Sequence, residues 1–563
     1  MKKILSLGLH IVAPYLVLIL GFFTYFVNYE NPPNLFWDEN YYLTAVEKYK
    51  KNIFFEESHP PLGKLIMYAG DVLWDANPNL INDFEKTDFA RNIPTGYSFK
   101  GVRFFPAFFA WINCLLVFFL FILLTRNSGW ALSLSLLYAM DNALIVHSRG
   151  AMLDSMQIFG VLLALIAYFK IYSKEVFSKK WAAVLGLGIA WATWIKLNGL
   201  ITILLLPMLL FYPKKPTFKE KLKTLIPPTS IAKITILIFS ILVWSAHFSL
   251  GKRIEPALNN SGWYKASAEL KQIKLSPQEH KNFVSNFYIE LRDYVKYMNN
   301  YAKGVPRLNL SKKGENGSPF FWWPYGARTI NYRWESKNQG QEVSYLYLVP
   351  NPVIWWLSLL SVFLSLSFFV MKFIFRSLKM EKRDEQHLAV ASLLYLAYML
   401  SISRIDRVMY TYHYFIPLIF SFILVAKWIP FLVSRIPSKK LEHKDTLAQV
   451  ILMVMITSAW SFYSPLTYYR PISCSSFMKR MIPGWQMKPV QCKEFKDKSI
   501  YQVLNQTQNQ KKVERLNSSV SSRRTNAGKR KPRDPLAGLK LPIKKPTTGQ
   551  PRTTNSLPSK PQK

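Results

Sequence analysis

Two adjacent carboxylates stand in the stretch Asn34-Leu-Phe-Trp-Asp-Glu-Asn-Tyr-Tyr42: Asp38 and Glu39 follow directly on an apolar run long enough to cross a bilayer. The same connection continues through Ser58-His59-Pro60-Pro61-Leu62-Gly63-Lys64, where a rigid Pro-Pro turn presents His59, and the next apolar segment opens on Arg103. A carboxylate can accept the proton of a hydroxyl as that hydroxyl attacks, and nearby cations can hold an anionic leaving group. A simpler role is also open to the pair, because an aspartate caps a helix well and a glutamate suits its first turn. A second group runs from Asp141-Asn142 through His147-Ser148-Arg149 to Asp154-Ser155, a short connection between apolar spans. Ionisable residues at such a depth are costly and are paired or functional, so a structural Arg149 to Asp154 ion pair competes with a binding role. Lys196, between Trp194 and Asn198, could hold an anion or snorkel to the interface. A third group, Arg404-Ile-Asp-Arg407 followed by Tyr410-Thr-Tyr-His413-Tyr414, combines a phosphate-binding side chain with rings on which a sugar can stack. An interfacial tyrosine belt would account for the rings alone.

Several chemistries lack their residues. The chain has no P-loop, no glycine-rich dinucleotide fingerprint, no His-Glu-x-x-His and no Asp-x-Asp pair of the kind that holds a metal on a nucleotide-sugar. The three cysteines offer no paired spacing for zinc, although Cys474 and Cys492 could pair in an oxidising compartment. No cofactor and no metal are therefore expected.

The elements that must position these residues are membrane helices. Half of the 563 residues are hydrophobic and 15% are aromatic, with 17 Trp, which points to an all-α polytopic membrane protein. Apolar segments lie at about 4–27, 102–124, 130–147, 152–172, 181–195, 197–212, 231–250, 352–375, 388–402, 412–433 and 447–465, about eleven helices in all. The first is read as an uncleaved helix, being long for a signal peptide and without a clear cleavage site. With Lys2 and Lys3 in the cytoplasm, the even-numbered connections are the short basic ones, such as Lys214 to Lys223 and Lys372 to Arg383. The long connections 28–101 and 251–351 then face outward. The first carries the carboxylate pair, and Tyr42, Ala45, Val46 and Tyr49 at helical spacing predict a helix lying on the membrane surface. The expected organisation is an N-terminal transmembrane module over 1–250, an outer loop region over 251–351, a C-terminal transmembrane module over 352–465, a post-membrane segment over 466–504 and a basic, disordered tail over 505–563. The net charge of +39 draws about +18 from residues beyond 465, and the remaining basic clusters fall between spans, where topology explains them. Nucleic acid is not an expected partner.

The motifs resemble those of the protein O-mannosyltransferases. Phe36-Trp-Asp-Glu-Asn40 through His59-Pro-Pro-Leu-Gly-Lys64 is similar to the family's first outer loop. Asp141-Asn-Ala-Leu-Ile145 through Arg149 and Met152-Leu-Asp-Ser155, Trp194-Ile-Lys-Leu-Asn-Gly199, Tyr347-Leu-Val-Pro-Asn-Pro-Val-Ile-Trp-Trp356 and Arg407 to Pro417 follow in the family's order. The resemblance covers about residues 30 to 485. It implies a GT-C fold whose outer face transfers mannose, with inversion, from a polyprenyl-phosphate donor to Ser or Thr hydroxyls of a protein. It also implies a site facing outward from a bacterial inner membrane. Asp38 or Glu39 becomes the general base, with Asp38 favoured. His59, Lys64, Arg103, Arg149, Asp154, Lys196, Arg407 and His413 become candidates for binding the donor or shaping its surroundings. Two features depart from the pattern: 251–351 is too short for the MIR module of eukaryotic members, and Pro350 stands where a Gly is usual. A related GT-C enzyme moving another sugar, such as aminoarabinose, to a lipid acceptor is the second expectation, and a transporter the third. The outward placement of the carboxylates weighs against transport.

Overall fold

The computed structural model describes residues 2–173, 178–211, 217–276, 282–312, 314–337, 341–375, 380–437 and 443–492, so the tail expected beyond 505 lies outside the described residues. Helices dominate, because long apolar runs satisfy their own backbone hydrogen bonds only as helices in lipid. The first third of the chain forms α1 (Lys2–Gly21), α2 (Glu39–Lys50), α3 (Leu62–Trp74), α4 (Lys100–Thr125), α5 (Ser128–Ala139), α6 (Asn142–Ser148) and α7 (Asp154–Ser173). The middle forms α8 (Lys179–Ile195), α9 (Leu205–Met208), α10 (Phe218–Leu250), α11 (Ser261–Tyr264), α12 (Ala268–Leu275) and α13 (Phe283–Gly304). A hairpin of β1 (Ile330–Lys337) and β2 (Glu342–Leu348) precedes α14 (Pro352–Phe375), α15 (Lys382–Ser403), α16 (Phe415–Ser434), α17 (Lys444–Thr467), β3 (Pro471–Ser473) and α18 (Cys474–Met478).

Each of the eleven expected apolar segments is helical, but they differ in reach. Among the described residues eight helices are long and apolar enough to cross a membrane, and α5 with α6, bent by 58°, makes a ninth if taken as one span. The segment at 181–195 is the 17-residue α8, and 197–212 is a 3-10 run, Leu197–Leu204, leading into the four-residue α9. The bend between α5 and α6 sits at Asp141. Its Oδ1 caps α6 by accepting from Leu144 N at 2.9 Å, and its Oδ2 accepts from Asn351 N at 3.1 Å and Trp355 Nε1 at 2.9 Å. One buried carboxylate thus breaks a span and fixes the start of α14.

Two elements expected on the outer side differ from expectation. The helix α2 does not lie on the membrane with a free face: Tyr42 through Tyr49 are all buried. Lys48 Nζ pairs with Asp88 at 3.3 Å, Tyr49 Oη bonds His247 Nδ1 at 2.7 Å, Lys50 Nζ reaches Asp71 of α3 at 3.0 Å, and Ala90 N donates to Asn40 O, so the loop before α4 folds over the helix. The second difference is an antiparallel three-stranded sheet in the order β1-β2-β3, with a bulge between Asn331 and Arg333. The chain after α17 returns to complete it, and Trp485 Nε1 bonds Tyr325 O at 2.9 Å.

Candidate active site

Asp38 and Glu39 are neighbours in sequence with opposite fates. Glu39 is fully buried, and its carboxylate is saturated: Arg103 donates from Nε to Oε1 at 2.7 Å and from Nη2 to Oε2 at 2.8 Å, Ala151 N donates to Oε1 at 2.8 Å, and Phe36 N to Oε2 at 3.1 Å. Gly150 is needed there, since a Cβ would stand 2.6 Å from the Phe36 ring and 3.2 Å from Glu39 Oε1. Arg103 spends its remaining donors on the carbonyls of Glu30, Pro32 and Asn34 at 2.7–2.8 Å. The pair therefore bolts the loop before α2 onto the start of α4.

Asp38 occupies the N-cap position of α2 but makes no cap hydrogen bond. Its carboxylate is half-buried, and its Oδ2 accepts from the hydroxyl of Tyr412 at 3.4 Å. The preceding residue, Trp37, has φ of +52°, a region a bulky side chain enters only when its surroundings hold it there. The surroundings are aromatic: its ring lies 5.0 Å from that of Tyr332 and 5.2 Å from that of Tyr410.

Tyr412 is the hub of the site. Its hydroxyl meets Asp38, Lys196 Nζ lies 5.3 Å from its ring centroid, and the rings of His413 and His147 stack against it at 4.7 and 4.8 Å. Lys196, at the C-terminus of α8, bonds both oxygens of Asp154 at 2.9 and 2.7 Å, and Asp154 at the start of α7 also accepts from His147 Nε2 at 2.7 Å. His147 Nδ1 meets Tyr332 Oη of β1 at 2.7 Å. The 3-10 turn Thr411–Tyr414 that presents Tyr412 and His413 is tied in by Tyr398 Oη, which donates to His413 O and accepts from Asn198 Nδ2, both at 2.8 Å.

The His-Pro-Pro turn forms the adjoining wall. Lys64, fully buried in α3, pairs with Glu57 at 2.5 Å and donates to His59 O at 2.6 Å. Burial raises the Glu57 carboxyl, but the charge of Lys64, with hydrogen bonds from Lys64 and Ser58, outweighs it and lowers its pKa to about 2. Burial, reinforced by Lys196, Lys64 and Arg407, pushes the His59 imidazole down to about 3 against the opposing pull of Glu57. His59 is neutral at neutral pH, a hydrogen-bonding group rather than a cation.

The structure thus brings Asp38, His59, Lys196, Arg407 and His413 around one space, with Lys64 and Asp154 behind them. Arg149 is placed elsewhere. It does not pair with Asp154; its guanidinium bonds the carbonyls of Val27 and Asn28 and faces the Tyr468 ring at 5.1 Å. Arg103 and Arg149 both fix the exit of α1, and Arg103 has all five of its donors engaged in doing so. Among the described residues, Asp38 and Arg407 are the two site charges without an ion-pair partner, and both lie within electrostatic range of Tyr301 and Tyr410. Glu57 and Tyr332 are groups that sequence reading passed over, and His147 was named there only as part of a stretch, without a role. Glu57 is signalled only by its place before Ser58-His59, His147 by its place in the Asp141 to Asp154 stretch, and Tyr332 by nothing local. No group of three or more metal-ligating side chains occurs among the described residues.

Fold and site define a polytopic integral membrane protein with a carboxylate-and-cation site at one end of its helices. The family model for dolichyl-phosphate-mannose-protein mannosyltransferase matches residues 15–244, and that for the C-terminal four-transmembrane region of protein O-mannosyltransferase matches 296–485. The chain belongs to the protein O-mannosyltransferase family. Protein O-mannosyl-transferase 1 of Danio rerio is 29% identical over 193 residues, 34% of this chain and 26% of that protein. Dolichyl-phosphate-mannose--protein mannosyltransferase 6 of Saccharomyces cerevisiae is 26% identical over 253 residues, 43% of this chain and 32% of that protein. The matched stretches span only about a quarter to a third of those relatives. The solved Saccharomyces cerevisiae protein O-mannosyltransferase Pmt1-Pmt2 complex bound to the sugar donor shares the fold, with a TM-score of 0.68 at 14% identity over 86% of this chain and 95% of that one. The architecture is GT-C.

Proposed function

We propose that the chain is an inverting glycosyltransferase that moves mannose from a polyprenyl-phosphate donor to Ser or Thr hydroxyls of proteins on the outer side of the membrane. The observation that carries this reading is the division of labour in the carboxylate pair: Glu39 is locked by Arg103, while Asp38, among the described residues, has no ion-pair partner and accepts a 3.4 Å bond from Tyr412. Asp38 is the general base. As the acceptor oxygen bonds to the sugar's anomeric carbon, its proton passes to Asp38 and the bond to the lipid phosphate breaks. Arg407 and Lys196 stabilise the departing phosphate, His59 and His413 supply hydrogen bonds, and the rings of Tyr412 and Trp37 support the sugar. Arg103, Arg149, Lys64 and Asp154 are positioning residues. A phosphate is already a good leaving group, so these residues suffice for the chemistry.

The outward orientation has its own support. Cys474 is disulfide-bonded and follows β3, which joins the same sheet as Tyr332 at the site's end of the helices, and disulfides form in oxidising compartments. A bacterial inner membrane with the site facing outward fits both this and the basic connections at the opposite end. The test is transfer of labelled mannose from polyprenyl-phosphate mannose to a Ser/Thr-rich peptide by membranes containing the protein. Label on the peptide supports the reading; label on lipid alone replaces it with the lipid-modifying alternative.

A further inference from the structure

At the end of the helices opposite the candidate site lies a cavity of about 770 Å³ that mannosyl transfer does not use. The distance is set by α4, which begins beside Arg103 and ends 26 residues later at Thr125, about 39 Å on by helical rise. The walls are apolar: Pro14 of α1, Phe119 and Ile122 of α4, and Leu163 and Ile166 of α7. The mouth is basic, formed by Arg126, Lys170 and Arg383, with Trp181 between them at 5.9 Å from Lys170 Nζ.

Among the described residues no carboxylate lines the cavity. Among the described residues Arg126, which is exposed, forms no ion pair, and Arg383, though its Nη2 donates to Leu123 O at 3.3 Å, has a buried Nε without a partner. Both arginines also line a smaller cavity that holds Glu381 and Asp384, but Asp384 is bonded to Lys427 at 2.6 Å, and among the described residues neither acid forms an ion pair with Arg126 or Arg383. The C-terminus of α4 favours a cation at Arg126, but it does not account for a buried, unpaired Nε on another helix. An apolar groove between membrane helices with three cations and an aromatic ring at its mouth has the shape and charge of a lipid site: hydrocarbon in the groove, an anionic headgroup at the rim.

We propose that this cavity binds an anionic phospholipid of the membrane leaflet opposite the candidate active site, its acyl chain against Phe119, Leu163 and Ile166 and its phosphate between Arg126 and Arg383. Bound there, the lipid ties α1, α4, α7 and α15 together at the end remote from the chemistry.

Native mass spectrometry of the full chain, incubated with equimolar phosphatidylglycerol and phosphatidylcholine, tests the assignment. The native protein is expected to retain phosphatidylglycerol in clear preference. Each basic residue near a headgroup contributes about fivefold, so Arg126→Gln with Arg383→Gln should lower the preference roughly 25-fold. Arg126→Gln alone, a change at an exposed position, should lower it about fivefold and keeps the test valid if the double variant does not fold. Leu163→Trp, which fills the groove and leaves the charges, should reduce adducts of both lipids. Equal retention of the two lipids by the native protein, or a preference that survives the loss of Arg126, overturns the proposal.

Discussion

Replacing Glu39 by Gln removes the charge from a carboxylate that is fully buried and accepts four hydrogen bonds, two of them from Arg103. The guanidinium then stays in the interior with no counter-ion, and breaking a buried pair from one side costs about 3–5 kcal/mol. Arg103 keeps its bonds to the carbonyls of Glu30, Pro32 and Asn34, so the lower end of that range, about 3 kcal/mol, is expected. Loss of the anchor also frees the loop before α2, and Asp38 with it. The assay is the apparent melting temperature in detergent, followed by size-exclusion chromatography, beside transfer activity on the same sample. Glu39→Gln should melt distinctly lower than the native protein. Replacing both partners, as Glu39→Gln with Arg103→Met, should cost less than the sum of the single changes, because neither then strands the other. A Glu39→Gln protein that melts with the native one yet has lost all transfer would refute the structural role assigned to Glu39.

Three further outcomes are expected. Glu56 is buried, neither carboxylate oxygen has a partner, and burial followed by the charges of Asp293 and Asp88 raises its pKa to about 9. Between its ordinary value and about 9 the folded state holds a proton that the unfolded state has released, so stability falls as pH rises, by up to ~1.4 kcal/mol per unit. Glu56→Gln should therefore raise the melting temperature at pH 8.5 more than at pH 5.5, and parallel pH profiles would count against it. Asp154→Asn leaves Lys196 buried without its counter-ion and should cost about 3 kcal/mol, whereas Asp154→Asn with Lys196→Met should cost less than the two single changes summed, read by thermal melting. Tyr412→Phe removes a 3.4 Å bond to Asp38 but keeps the stacked ring, so kcat should fall by no more than about fivefold with KM nearly unchanged. A large rise in KM would assign the hydroxyl to substrate instead.

The helical segments were legible because length and apolarity identify membrane helices without any tertiary information. The sheet was not: β2 is buried along nearly its whole length between β1 and β3 and against α17, so the alternation that marks a half-exposed strand is missing. The burial of α2 was hidden for a similar reason, since what covers it comes from Asp88, Asp71 and His247, distant in the chain. In the site, the residue types were readable and their pairings were not. Arg103 and Glu39 are 64 positions apart, and Lys196 and Asp154 are 42 apart. Two arginines that sequence offered as phosphate ligands, Arg103 and Arg149, turn out to hold backbone carbonyls, while Asp154 takes Lys196 and His147 rather than Arg149.

The central claim is that Asp38, not Glu39, takes the acceptor's proton. Asp38 makes no cap bond and no ion pair, so Asp38→Asn should leave the melting temperature unchanged to within a degree or so. The decisive measurement is kcat for mannose transfer to a Ser/Thr peptide by Asp38→Asn protein of native stability: the expected result is a loss of about 10²–10⁴-fold with donor binding retained, and transfer at the native rate would contradict the account.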